Sequence, residues 1–328
     1  MNTDIAVIGC GAIAQLFYLP ALAKMAQRTG AIWLVDPSGR ARDSALALVA
    51  GRAVAKIEDL PVGIPIFVIA TPNKLHVPMA LDALQKGAHV LIEKPFAIWP
   101  EEGRKLIQAA ETQGRLIAVN QTRRFMPYMS DLRQRINKGE FGPLTTIIHN
   151  EGYKLSWPFE SGAAFARTAE RTGVIMDAGV HAIDFYQYLF QPEWNFVSAT
   201  HDGFRGPEGL ASIHLRANGV PVSIKLSRYY KQTNLAVLKF RDADVRIGLD
   251  ELNGYTIHES GGSARRVAAA RPVSSYGALA EDVLNDFLEA AAGRSAPRCP
   301  ASSSMPVIEI LDQVYRAAQL YPDAVGAV

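Results

Sequence analysis

Cysteine is scarce: Cys10 and Cys299 are the only two in 328 residues. They stand at opposite ends of the chain without metal-ligand spacing, which excludes a disulfide framework and gives no zinc or other metal site. So little thiol chemistry fits a reducing compartment. Charge of one sign is not in excess either, with 34 basic against 32 acidic residues and no long basic block. Charge therefore gives no support to nucleic acid as a partner. No apolar run approaches the roughly 20 residues of a membrane span. The opening "MNTDIAVIG" has an acidic residue before its first apolar run and no basic leader region, so we expect a cytoplasmic protein with no membrane partner. Internal repeats and low-complexity tracts are missing too. What remains is an ordinary globular composition, 48% hydrophobic and 20% charged, in a chain long enough for about two domains.

The first 120 or so residues alternate short apolar runs with helix-length segments. "IAVIG", "AIWLVD", "IFVIA", "HVLIE" and "LIAVN" read as strands, with "RAVA" a weaker one, and the segments between them carry apolar residues at helical spacing. This predicts an α/β unit over residues 1–121, a doubly wound parallel sheet covered by helices. Residues 122–328 have another texture. "RRFMPYMSDLRQRINKGEFGPL" reads as a helix ending at a glycine. After about residue 190, "WNFVSATHD", "LASIHLRA", "VPVSIKLSRYY" and "LAVLKFRD" follow one another with turn residues between them, which predicts a mostly antiparallel sheet. Two amphipathic helices close the chain, "GALAEDVLNDFLEAAAG" and "MPVIEILDQVYRAAQLY", separated by "RSAPRCPASSS".

The turn after the first strand reads Gly9-Cys10-Gly11-Ala12-Ile13-Ala14. Two glycines between a strand and a helix, with a small residue three positions on, make a tight turn whose backbone lies open to a dinucleotide pyrophosphate. The second strand ends in Asp36, whose carboxylate would accept from ribose hydroxyls and repel a 2′-phosphate, favouring NAD over NADP. Arg40, four residues on, is either a solvated helix residue or a contact for that phosphate. The loop "TPNKLH" after "IFVIA" faces the same crevice. It offers Thr71, Asn73 and His76 as cofactor ligands, or as two caps and a helix-surface histidine. In "HVLIEKPFA" the strand delivers Glu93 and Lys94 to the crevice beside the nicotinamide, with Pro95 after them. There Lys94 can hydrogen-bond the reacting oxygen of a substrate while Glu93 helps hold the ammonium or the ribose. Pro95 restricts the backbone of Lys94 and is a candidate for a cis bond.

Downstream, Asp177, His181 and Asp184 recur at intervals of four and three, which puts them on one helix face. Upstream of them, Tyr153, Trp157 and Phe165 lie near polar groups, as aromatics that stack on a sugar ring or as core packing.

Taken in order, "GCGAIA", "ATPNKLH", "EKP", "RRFMP", "INKGEFGPL" and "TGVIMDAGVHAIDFYQYL" resemble the Gfo/Idh/MocA oxidoreductases over nearly the whole chain. The resemblance implies a Rossmann domain and a second α/β domain whose open sheet serves oligomer contacts, here a homodimer or homotetramer. It also implies pyridine-nucleotide redox chemistry on a sugar, cyclitol or related small molecule. It carries the acid/base role onto His181, with Asp177 beside it at the substrate and Lys94 opposite. Apart from the resemblance, we expect Tyr153 and Trp157 as further substrate contacts by their aromatic character, and Asp184 as a structural residue. One departure stands at "AERTGV", where many relatives have a glycine pair and this chain has Arg171-Thr172-Gly173. Two rival functions stay open: an NADP-dependent reductase of a biosynthetic keto or imine intermediate, and a nucleotide-sensing regulator without turnover.

Overall fold

An apolar run, Ile5 to Ile8, buries the end of the first strand, β1 (Thr3–Ile8). The computed structural model describes residues 3–154, 171–203 and 206–321. From β1 the chain passes through a five-residue π-helical stretch, Ala14–Tyr18, into α1 (Leu19–Lys24), β2 (Thr29–Val35) and α2 (Gly39–Leu46). It continues through β3 (Arg52–Val54), β4 (Ile66–Ile69), α3 (His76–Gln85), β5 (His89–Glu93), α4 (Pro100–Thr112) and β6 (Ile117–Asn120). The six strands form one parallel sheet in the order β3-β2-β1-β4-β5-β6. All four residues of β4 and of β6 are buried, as a sheet covered on both faces requires. Strand order reverses between β1 and β4, so the loops after those two strands flank a crevice at the C-terminal edge, where α/β sheets take their ligands.

The second sheet has nine strands in the order β14-β13-β12-β11-β7-β10-β9-β8-β15. It follows α5 (Met129–Asn137), which the predicted helix around residues 123–142 reaches only after a 3₁₀ turn at Thr122–Phe125 and Pro127. Its centre is β7 (Leu144–Gly152), a strand that lies outside the expected run after residue 190. Next come α6 (Val174–Asp177) and α7 (Gly179–Phe190). The expected strands are present as β8 (Trp194–His201), β9 (Leu210–Ala217), β10 (Val220–Ser227) and β11 (Leu235–Phe240). Three more, β12 (Ala243–Gly248), β13 (Gly254–Glu259) and β14 (Ala264–Ala268), extend the sheet to an arginine-bearing edge. The pairing is antiparallel except that β7 runs parallel to β10, and β8 to the two-residue β15 (Gln319–Leu320).

One late helix departs from a simple division at residue 121. Contacts separate the described chain into one unit holding residues up to Thr122 together with Ser275–Met305, and another holding the rest. Helix α8 (Leu279–Ala291) is thus part of the first unit. Lys24 pairs with Glu281 at 2.8 Å, Arg28 donates to Asn285 at 2.7 Å, and Val119 N–H donates to Cys299 O at 2.8 Å. Helix α9 (Ala301–Ala317) begins four residues earlier than the apolar pattern suggests, because Ala301 to Ser304 form its first turn and Pro306 stands inside it. No described helix is long and apolar enough to cross a membrane.

Candidate active site

In the first unit the glycine turn has the geometry its sequence calls for. Gly9 takes a φ of +93°, and a Cβ there would stand 2.6 Å from Ala70 O, so only glycine fits. A Cβ on Gly11 would meet nothing within 4 Å, which leaves that backbone approachable. Ala12 and Ile13 start the helical segment and are half-buried. Asp36 accepts from Cys10 N–H at 2.9 Å through Oδ2 and from Ser38 N–H at 2.8 Å through Oδ1. Its carboxylate therefore braces the turn, and each oxygen retains a lone pair for a ribose hydroxyl. Arg40 is exposed; the arginine at this strand end is Arg42, whose Nη1 donates to Asp36 O at 2.5 Å. Burial, then the charge of Asp36, pushes the Cys10 thiol up to about 12.

Thr71 and Asn73 are half-buried on the loop after β4, and the α3 N-terminus has no side-chain cap. Thr71 Oγ1 is buried with no hydrogen-bond partner among the described residues. An orphaned hydroxyl, a turn that admits no Cβ at Gly9 and an open backbone at Gly11 suit a bound dinucleotide. His76 is on neither the helix surface nor the open crevice: it is 1% exposed, with Nδ1 2.7 Å from Pro95 O and Nε2 2.8 Å from Thr71 O.

Glu93 ends β5 and is buried. Its Oε1 accepts from Tyr18 Oη at 2.7 Å and Asn120 Nδ2 at 2.6 Å, and its Oε2 from Lys94 N–H at 3.1 Å. Burial pushes this carboxyl up, while the Tyr18 and Asn120 donors and the Lys94 charge pull it down; burial prevails. Tyr18 and Asn120 escaped the sequence reading because they lie 75 and 27 residues from Glu93, and isolated polar residues carry no periodic signal. Lys94 is half-buried, and the Lys94–Pro95 bond is cis.

In the second unit Asp177 closes α6 and His181 lies four residues on in α7. The N-terminus of α6 is held by Glu208, whose Oε1 accepts from Ile175 N–H at 3.0 Å and from Tyr315 Oη at 2.8 Å. A Cβ on Gly173 would fall 1.9 Å from the Glu208 carboxyl carbon. Arg171, standing where the glycine pair was expected, adopts a φ of +50°. It is fastened by Asp312 at 2.7 Å, with its guanidinium 4.7 Å over the Tyr315 ring. Asp177 Oδ2 accepts from Tyr153 Oη at 2.5 Å, and Arg228 Nη2 stands 3.6 Å away while donating to Thr172 O at 3.1 Å. Burial, then the Asp177 charge, pushes the Tyr153 hydroxyl far up, so it stays protonated and donates. Asp184 parts from the other two: it pairs with buried Arg124 through contacts of 2.9 and 2.5 Å. Trp157 and Phe165 lie outside the described residues. Arg228 and Glu208, both from the second sheet's loops and strand ends, were not legible as site residues.

Residues 3–121 match the model of the oxidoreductase family with an NAD-binding Rossmann fold, and residues 129–252 match the GFO/IDH/MocA C-terminal domain. The chain belongs to the Gfo/Idh/MocA family. Among curated proteins it is 26% identical over 240 residues to a 1,5-anhydro-D-fructose reductase of Ensifer adhaerens, 69% of this chain and 65% of that one. It is 29% identical over 137 residues to a scyllo-inositol 2-dehydrogenase (NAD(+)) of Bacillus subtilis, 42% of this chain and 38% of the relative. The matches thus span less than two thirds of these relatives' lengths. Among solved structures the fold is shared with KijD10, a 3-ketoreductase of Actinomadura kijaniata crystallised with NADP and TDP-benzene: TM-score 0.83 at 18% identity, covering 98% of this chain and 100% of the other.

Proposed function

We propose that this protein is an NAD-dependent oxidoreductase that moves a hydride between nicotinamide and a hydroxyl or keto carbon of a sugar, cyclitol or nucleotide-linked sugar. The observation that carries the reading is Lys94, delivered by β5 to the C-terminal edge of the sheet whose β1 turn suits a dinucleotide, with its backbone N–H held by enclosed Glu93. Bound nicotinamide supplies or receives the hydride. The Lys94 ammonium donates to the reacting oxygen and offsets the negative charge that develops on it. In the oxidative direction a ring nitrogen of His181 takes the hydroxyl proton, work suited to an imidazole near neutral pH. Asp177, steadied by Tyr153 and Arg228, orients the substrate hydroxyls. A panel of sugars, cyclitols and nucleotide-sugars incubated with NAD or NADP tests this by the change in nicotinamide absorbance. Absence of turnover across the panel, in both directions, would favour the sensing rival.

The NAD preference rests on Asp36, which follows β2 directly and whose charge would repel a 2′-phosphate. The wild type is expected to bind NADH more tightly than NADPH, and Asp36→Ser to narrow or invert that ratio. The NADP reading has its support in Arg42, whose guanidinium lies against this strand end, and a wild-type preference for NADPH would establish it instead.

A homodimer or homotetramer is part of the same proposal. The sheet face opposite His149 and Glu151 carries Val197, 52% exposed, with half-buried Ile148 and Val237, apolar surface suited to a second copy. Sedimentation velocity at micromolar concentration should show a dimer or larger species; a strictly monomeric boundary removes the interface.

A further inference from the structure

His76 is enclosed in the first unit and touches two turns at once. One is the end of β4, through Thr71 O at 2.8 Å from Nε2; the other follows β5, through Pro95 O at 2.7 Å from Nδ1. The first turn carries the orphaned Thr71 hydroxyl and the second carries Lys94. Neither carbonyl is spare: both face a ring that is 1% exposed, and a buried carbonyl without a donor costs stability. A neutral imidazole has one N–H and an imidazolium has two. Burial pushes the ring toward the neutral form; the two carbonyls pull it back toward the charged one, and the Lys94 charge opposes them.

We propose that His76 is a positioning residue, a clamp whose two ring nitrogens set the spacing between the Thr71 turn and the Lys94–Pro95 turn. The cofactor side of the crevice and the lysine are then registered to each other by one side chain that touches neither ligand. The inference rests on the reading that Thr71 meets the dinucleotide and Lys94 the reacting oxygen.

Side-chain amides separate the two contacts. The Asn amide nitrogen can stand where Nδ1 does, and the Gln amide nitrogen where Nε2 does. His76→Asn should therefore keep the Pro95 contact and turnover while weakening NADH binding about fivefold to tenfold, the weight of one lost hydrogen bond. His76→Gln should keep NADH affinity and lower kcat by a similar factor. Both variants retain one contact and should melt together. A loss confined to one variant would overturn the two-point clamp, since it leaves a single carbonyl held by the one nitrogen that carries the proton. Parallel loss of affinity and turnover in both variants, or changes below about twofold in both, would overturn it. The Lys94→Ala variant is assayed alongside: if it keeps full turnover, the catalytic reading of Lys94 fails, whereas NADH affinity in the His76 variants still reads the clamp at Thr71.

Discussion

Lys94→Ala is expected to lower turnover by on the order of a hundredfold or more, the usual weight of a group that stabilises charge on a reacting oxygen. NADH affinity should change little, since the glycine turn and Asp36 are untouched. The fold should survive as well: the residue 94 backbone N–H, Tyr18 and Asn120 continue to donate to the Glu93 carboxylate. His181→Ala belongs in the same range, because its imidazole is assigned the proton transfer in the second unit. Single-turnover hydride transfer, measured beside NADH dissociation constants, separates chemistry from binding. Near-wild-type turnover in either variant would show that the chemistry lies elsewhere.

The second large effect is on stability. Asp184→Ala should destabilise the protein by about 3–5 kcal/mol, the usual cost of leaving one partner of a buried ion pair uncompensated. Arg124 and Asp184 are each 2% exposed at the side chain, and their two contacts are parallel and charge-assisted. Removing the carboxylate takes a bidentate acceptor away from a buried guanidinium. Asp184→Asn should cost less, since an amide still accepts from the arginine. Chemical denaturation followed by intrinsic fluorescence reads both variants, and a change below about 1 kcal/mol for the alanine variant would show the pair to be dispensable.

The parallel sheet was legible because its strands are almost wholly apolar and each is punctuated by a glycine turn or a helical period. Strand β7 was not. Its inner face carries His149 and Glu151 beside Ile147, so polar groups stand where apolar residues are the rule. Those groups are buried only because they satisfy one another: His149 lies 2.9 Å from Tyr186 Oη and 3.0 Å from Glu151, and Arg123 pairs with Glu151 by two contacts. Burial would push the Glu151 carboxyl up, but the Arg123 charge and the hydrogen bonds from His149 and Arg123 hold it far below the usual carboxylate range. A periodicity scan weighs hydropathy and is blind to such compensation. The return of α8 to the first unit was equally hidden, because its contacts with Lys24 and Arg28 span about 257 residues of chain.

At the candidate site, motifs pointed to the residues proposed to meet a ligand, and the partners holding those residues went unseen. Glycine at position 9 and aspartate at position 36 are readable because the turn demands them. Tyr18, Asn120, Glu208 and Arg228 do their work through long-range contacts, which leave no spacing to detect. His76 was visible as part of "TPNKLH", but its enclosure between two carbonyls follows from the approach of β4 to β5, a property of the folded sheet.

The enclosure of Cys10 has a practical consequence. A thiol pushed up to about 12 holds almost no thiolate near neutral pH, and thiolate is the form that alkylating reagents attack. Cys299, at 2% exposed, is shielded as well. To a maleimide the folded protein therefore presents a surface without reactive sulfur. A cysteine introduced at the fully exposed position of Val62 would be a single attachment point for a fluorophore, with no native residue to remove first.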